Sequence, residues 1–345
     1  MQRSKNRWLV VIRHAIAWVF ILALALTAAT SGLLAQSPRA LEVLHQRLLP
    51  VFELSGVVFT DADEATGRLV VGVLDRDIEG LVRAKLRVLG IPSQSVDVVE
   101  TEPIFQVATL RDKVRPVEGG LQIRFSNYLC SLGFPATLGV QLGFVTASHC
   151  STKQGQVDGT KYYQPLNQVA DEFIGKEVAD PPYLRGTGNC PQGKKCRYSD
   201  SNFSIGDSGV KFSVGQIAQT SGANNGSLNI VEPPFKVTSE DDGSAGDTAN
   251  KVGRSTGWTQ GPITRTCVDT AVSGTNIVLL CQNFVESNGA QLVAGGDSGS
   301  PVFRIESGVN VTLLGILWGG NTSGTLFVYS PISAVRQELG DLTTH

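Results

Sequence analysis

Two short strings carry residues that could work together in nucleophilic catalysis. His149 lies at the end of Gly143–Cys150 (GFVTASHC), where an apolar stretch leads into the imidazole and Cys150 can tie down the turn. Ser298 sits in Gly295-Gly296-Asp297-Ser298-Gly299-Ser300-Pro301. A serine hydroxyl becomes a nucleophile only with a neighbouring base, a carboxylate that orients the base, and fixed donors for the developing oxyanion. Glycines around Ser298 permit a tight turn that exposes Oγ, and the N–H groups of Gly296 and Ser298 would form the oxyanion hole. The string Gly-Asp-Ser-Gly occurs twice, and the copy at Gly206-Asp207-Ser208-Gly209 lies between two apolar runs and reads as a hairpin turn. Four histidines (His14, His45, His149 and His345) are too few for a His-rich metal site. In the half of the chain that bears both strings, the other histidine is terminal His345, which leaves His149 as the base. This chemistry requires no metal and no organic cofactor.

The elements that must position these residues divide the chain unevenly. Its 345 residues suggest two domains, and 41% hydrophobic against 17% charged residues supplies ample core, excluding a disordered or fibrous class. A net charge of -2 gives no electrostatic footprint for nucleic acid. Residues 1–13 are basic and residues 15–35 are apolar, then small. That layout reads as an export signal (residues 1–35) cut after Ala35, with an uncleaved signal anchor as the alternative. Six cysteines, all from Cys130 onward, read as three disulfides in an exported chain. Residues 36–120 form a cysteine-free α+β region and linker, with strands at 55–60, 68–74 and 95–100 and a helical stripe over 77–89. From residue 121 short β-rich runs alternate with Gly/Ser/Asn/Pro turns, an all-β pattern closed by a helix over 333–342 that Ser333 could cap. Ser239–Asp247 reads as a solvated loop without EF-hand spacing.

The strings around His149 and Ser298 together resemble those of chymotrypsin-like serine proteases of the bacterial secreted kind: TASHC resembles the family's TAxHC, and GDSGSP its GDSGGP. The likeness spans residues 121–345. It implies two six-stranded antiparallel β-barrels with the site between them, a polypeptide substrate, and the chain order His, Asp, Ser. That order points to Asp200, in CRYSDSNF, as the acid, with Asp171, Asp180 and Asp207 as rivals. The resemblance also favours sequential cysteine pairing, Cys130–Cys150, Cys190–Cys196 and Cys267–Cys281, out of fifteen possible pairings. The preceding α+β region loosely resembles the pro-regions of such proteases, which assist folding and then inhibit; a bland accessory domain is the alternative. The chain is expected to be monomeric. A catalytically silent, ligand-binding member of the fold is the rival reading.

By the same resemblance Leu292 and Val293 would lie at the base of the specificity pocket, and Gly315–Gly320 (GILWGG), with Leu317, Trp318 and Gly319, would be the substrate-binding strand. Leu292 and Val293 carry no charge, so a Lys/Arg preference is not expected; Leu317 stands where the similar GIHWGG string of glutamyl endopeptidases has a His, so a Glu preference is not expected either, and an apolar or small side chain remains. Animal members are activated by a cut before an Ile-Val-Gly-Gly-type start whose amine pairs with the Asp before the nucleophile. Here Arg115-Pro116-Val117-Glu118-Gly119-Gly120 resists such a cut, so Asp297 needs another, internal cation. Asn-x-Ser/Thr strings occur at Asn202, Asn225, Asn310 and Asn321.

Overall fold

The computed structural model describes residues 38–104 and 107–345, and the expected export signal lies outside them. The described residues fall into two compact units, one ending before residue 107 and one from Val107 to His345.

The first unit is α+β. The strand Arg68–Val73 pairs antiparallel with Val57–Asp63 and parallel with Val96–Glu100. The parallel pairing needs a crossover, and the helix Glu79–Val88 supplies it. Alternate residues Leu69, Val71 and Val73 face one core with Val82 and Leu86 of the helix, as the two periodicities require. A further helix, Pro38–Leu48, buries Leu41 and Leu48 in that core and was not expected from the pattern.

The second unit is almost entirely β. An eight-stranded sheet runs in the order Leu342–Thr343, Phe134–Leu138, Gln141–Thr146, Asn202–Gly206, Phe173–Ala179, Lys161–Tyr163, Gln122–Phe125, Tyr128–Ser131. A ten-stranded sheet is built around the long hairpin Gly257–Ala271 and Ile277–Glu286 and the pair Pro301–Ser307 and Asn310–Gly320. Pairing is mostly antiparallel, with parallel contacts from the short strands Val117–Gly119 and Lys195–Arg197 and between Ile230–Glu240 and Asn310–Gly320. One core joins both sheets, with Phe134, Phe144 and Phe203 from the first and Phe235 and Phe303 from the second.

Four expectations are corrected. Residues 107–120 are not linker: Leu110 and Val117 are fully buried, and Val117–Gly119 pairs with Phe212–Thr220, so the second unit begins at Val107. The closing helix spans Ile332–Leu339, because Gly340 leaves helical geometry with φ 97° and Leu342 joins a strand against Leu138. Ser333 is inside that helix and bonds Asp242 rather than capping it. The turn around Ser208 is no hairpin. It is an exposed passage from Asn202–Gly206 in one sheet to Phe212–Thr220 in the other.

The cysteines pair in sequence order, and no described cysteine is free. Among the described residues no helix is long and apolar enough to cross a membrane.

Glu177 is 1% exposed and its Oε1 has no partner among the described residues. Burial, with the Asp158 and Asp180 carboxylates adding to it against one backbone N–H, pushes its pKa from 4.5 to about 7. Between those values the folded chain holds a proton that the unfolded chain has released, so this residue's contribution to stability falls as pH rises from 4.5 to 7. Glu177→Gln is therefore expected to stabilise the protein at pH 8 by about 1–3 kcal/mol and to do little at pH 4. Urea unfolding at the two pH values measures this, and an equal effect at both would contradict it.

Candidate active site

The strand Gln141–Thr146 delivers His149 on a short 3-10 turn, Ser148–Cys150. The Cys150 disulfide fixes that turn to Cys130, at the end of the neighbouring sequence hairpin. Asp200 stands just before the strand Asn202–Gly206, whose pairing with Gln141–Thr146 sets the two residues side by side. His149 Nδ1 and Asp200 Oδ2 are hydrogen-bonded, and the backbone N–H of His149 donates to Asp200 Oδ1 at 3.1 Å. The carboxylate is 2% exposed and the imidazole 33%, so one is sealed and the other meets the surface.

Gln154 Nε2 donates to Asp200 Oδ1 at 3.0 Å, and Ser330 Oγ accepts from the Asp200 backbone N–H at 3.0 Å. Burial alone would raise the Asp200 pKa, but His149, Arg197 and Gln154 outweigh it and the net shift is downward. Burial likewise opposes the imidazolium, and Asp200 overcomes it to raise His149 above 6.5. Such a pair keeps the carboxylate ionised and makes the imidazole a stronger base.

Of the rival carboxylates, Asp171 pairs with Lys113 at the surface and Asp207 holds its own turn. Asp180 is buried but binds Arg197 Nη1 at 2.7 Å and Ser148 Oγ at 2.8 Å, not the imidazole.

Ser298 occupies a turn pressed against the same strand ends. Ser131 N–H donates to the Ser298 carbonyl at 2.8 Å, and Ser131 Oγ to the Gly296 carbonyl at 2.9 Å. Gly299, at φ 89°, lies so close that a Cβ would overlap the Ser131 carbonyl and the Thr146 hydroxyl. Gly296, at φ 97°, faces the side-chain ends of Arg254 and Ser255, which can move aside. Both positions have left-handed backbone that favours glycine, and at Gly299 the backbone contact also excludes a side chain. Within the turn, the N–H groups of Asp297, Gly299 and Ser300 are bonded to carbonyls. Those of Gly296 and Ser298 have no acceptor among the described residues.

Beside Ser298 opens a cavity of about 410 Å³ lined by Val293, Ala294, Leu317, Gly319 and Gly320, with Gln291, Asn321, Thr322 and Ser323 toward its polar side. No charged side chain is among its lining residues. Leu292, expected at its base, is fully buried in the adjoining core with Ile263 and Val285, and Gln291 lines the cavity instead. Trp318 is also absent from the lining, and its indole N–H donates to Gln282 Oε1 at 2.8 Å. A register shift between Leu317 and Gly319 sets Trp318 apart from both, as at a β-bulge. Asn202 is fully buried, which excludes its Asn-x-Ser string from glycosylation in the folded chain.

The internal cation for Asp297 is Lys251, which the sequence reading did not single out. Its Nζ lies 3.4 Å from Asp297 Oδ2, both side chains are 0% exposed, and Lys251 also donates to Thr256 Oγ1 and to the Gly257 carbonyl. Asp297 further accepts from the N–H groups of Ser255, Thr256 and Ala294 and from Thr256 Oγ1. Burial drives the Lys251 pKa down against the pull of Asp297.

No protein-family model matches the chain, and no curated protein sequence matches it. Among solved structures it is similar to Protease A of Thermobifida fusca, at 22% identity over 66% of this chain and 99% of that one, with a TM-score of 0.47. It is similar to a glutamic-acid-specific serine protease that uses a histidine triad in substrate binding, at 21% identity over 66% and 100%, TM-score 0.46. A Nocardiopsis protease gives 22% identity over 66% and 97%, TM-score 0.44.

Lys251→Met leaves the Asp297 carboxylate buried without its cation and is expected to cost about 3–5 kcal/mol. Adding Asp297→Asn should recover much of that loss. Urea unfolding of the two single variants and the double variant measures the coupling, and additive losses would contradict it.

Proposed function

We propose that the chain is a serine endopeptidase in which His149, Asp200 and Ser298 form the catalytic set. His149 takes the proton from Ser298 Oγ as the oxygen attacks a peptide carbonyl. The N–H groups of Gly296 and Ser298 receive the oxyanion, and Asp200 holds the imidazole in the required tautomer and stabilises the imidazolium. The imidazolium then protonates the leaving amine, and water releases the acyl-enzyme.

The observation that carries this reading is the His149–Asp200 hydrogen bond beside a turn whose Gly296 and Ser298 N–H groups are unspent. The neutral lining of the adjoining cavity supports a substrate with an uncharged side chain before the cut bond. Three disulfides support work in an oxidising compartment outside the cell.

The first unit has a core of its own and is read as a folding assistant or inhibitor of the second. Refolding residues 107–345 with and without residues 38–106 tests this, and equal recovery of activity would remove the role.

A fluorophosphonate probe is expected to label the protein at Ser298 and to leave Ser298→Ala untouched. Labelling should rise with pH through the elevated His149 pKa, because only the neutral imidazole accepts the proton. Asp200→Asn should slow it by about 10⁴-fold. A folded protein that is not labelled at Ser298 would indicate a silent, ligand-binding member of the fold.

A further inference from the structure

Arg197 is among the largest fully buried side chains, at 1% exposure, yet its guanidinium is charged and touches no part of the cavity beside Ser298. Its partners are specific. Nη1 donates to Ser148 Oγ at 2.9 Å and to Asp180 Oδ1 at 2.7 Å, and Nη2 donates to the Ser201 carbonyl at 2.8 Å. Nε donates to Glu338 Oε2 at 3.2 Å. Ser148 precedes His149, and Ser201 follows Asp200. One planar group thus binds the residues that flank both members of the hydrogen-bonded pair.

The two carboxylates extend the grip. Asp180 accepts from Ser148 Oγ and from the Gly155 N–H at 2.9 Å, next to Gln154, which itself bonds Asp200. Glu338, on the helix Ile332–Leu339, accepts from the N–H groups of Tyr198 (2.7 Å) and Ser199 (3.2 Å) and from Ser199 Oγ (2.7 Å). Every residue from Arg197 to Ser201 is therefore bonded to this cluster or, for Asp200, to His149 and Ser330.

A buried ion cluster is a poor source of stability, because desolvation cancels most of the attraction, and apolar replacement of a whole cluster is often neutral. Its value lies in geometry. A fork of donors in fixed directions admits one arrangement of the two loops, whereas apolar packing admits several.

We propose that Arg197, held by Asp180 and Glu338, is a positioning residue that locks the His149 and Asp200 turns in register. The inference rests on the peptidase reading for its kinetic consequence and on geometry alone for its structural one. The charged and titratable groups facing this region are His149, Asp180, Asp200, Glu338 and Tyr183, whose ring lies 5.7 Å from the guanidinium carbon. Arg197 also favours the ionised form of Asp200.

The test compares the wild-type protein with Arg197→Met, Arg197→Lys, and a triple variant Arg197→Met/Asp180→Asn/Glu338→Gln designed to keep the fold without buried charge. The probe concentration dependence of fluorophosphonate labelling separates binding from reaction. In Arg197→Met and the triple variant the maximal labelling rate is expected to fall about 10–100-fold with probe affinity unchanged, the loss typical of a small misplacement. In Arg197→Met the acid limb of the pH profile should move to lower pH, because an Asp200 out of register no longer raises the His149 pKa. Arg197→Lys keeps the charge, but its rate should fall because one ammonium cannot reach all four partners.

A second readout needs no activity. The far-downfield proton NMR signal of the His149 Nδ1–H bonded to Asp200 should broaden or vanish in Arg197→Met and in the triple variant. Folded variants that keep the wild-type signal, maximal rate and pH profile would overturn the proposal. If the wild-type protein shows the signal but is not labelled at Ser298, the peptidase reading fails. The NMR comparison then still decides whether Arg197 holds the pair.

Discussion

The packing of the Ser298 turn against Ser131 is the contact on which the site depends. Ser131 ends a strand of the eight-stranded sheet, while Ser298 leads into a strand of the ten-stranded one. Through its N–H, hydroxyl and carbonyl, Ser131 binds the Ser298 and Gly296 carbonyls and Thr146 Oγ1, and its hydroxyl accepts from the Arg254 N–H. Thr146 is three residues before His149. The approach is possible because position 299 has no side chain. A bulkier residue there would separate the two sheets next to Ser298 and His149.

The N–H groups of Gly296 and Ser298 are left without acceptors among the described residues, while those of Asp297, Gly299 and Ser300 are bonded. In a crowded region, donors left open beside a cavity cost stability unless something else meets them. Behind the same turn, Lys251 and Asp297 bring a cation and an anion into full burial, and three backbone N–H groups converge on the carboxylate. The turn is thus held from both sides, by Ser131 in front and by the ion pair behind.

What could be read from sequence was local. The strings around His149 and Ser298 each encode a strand end, a turn and a reactive side chain within ten residues, and they were legible because the chemistry and the backbone requirement coincide there. Asp200 needed a chain order borrowed from a resemblance, since an acid followed by a small residue is a weak signal. Lys251 and Arg197 were not singled out, because their partners are remote in sequence: Asp297 for one and Glu338 for the other. Of the residues expected at the cavity, Val293, Leu317 and Gly319 line it, while Leu292 lies in the core and Trp318 is not among the lining residues. Neither is a matter of regular alternation: residues 291–294 form no strand, and the strand pairing shifts register at Trp318. At the closing helix, apolar spacing continued to Leu342, but Gly340 turned the chain into a strand.

The segment Ile332–Thr343 acts on both halves of the second unit. Its helix carries Glu338 to the Asp200 loop, and Leu342 and Thr343 pair with the edge strand Phe134–Leu138. A ribosome delivers a chain from its amino end, so this segment emerges after His149, Asp200 and Ser298 have all been made. Until it does, the Tyr198 and Ser199 amides lack their acceptor and Phe134–Leu138 keeps an open edge. A chain lacking this segment would carry His149, Asp200 and Ser298 without the Glu338 contacts to the Asp200 loop. Translation order itself then postpones these contacts until residues 332–343 have been made.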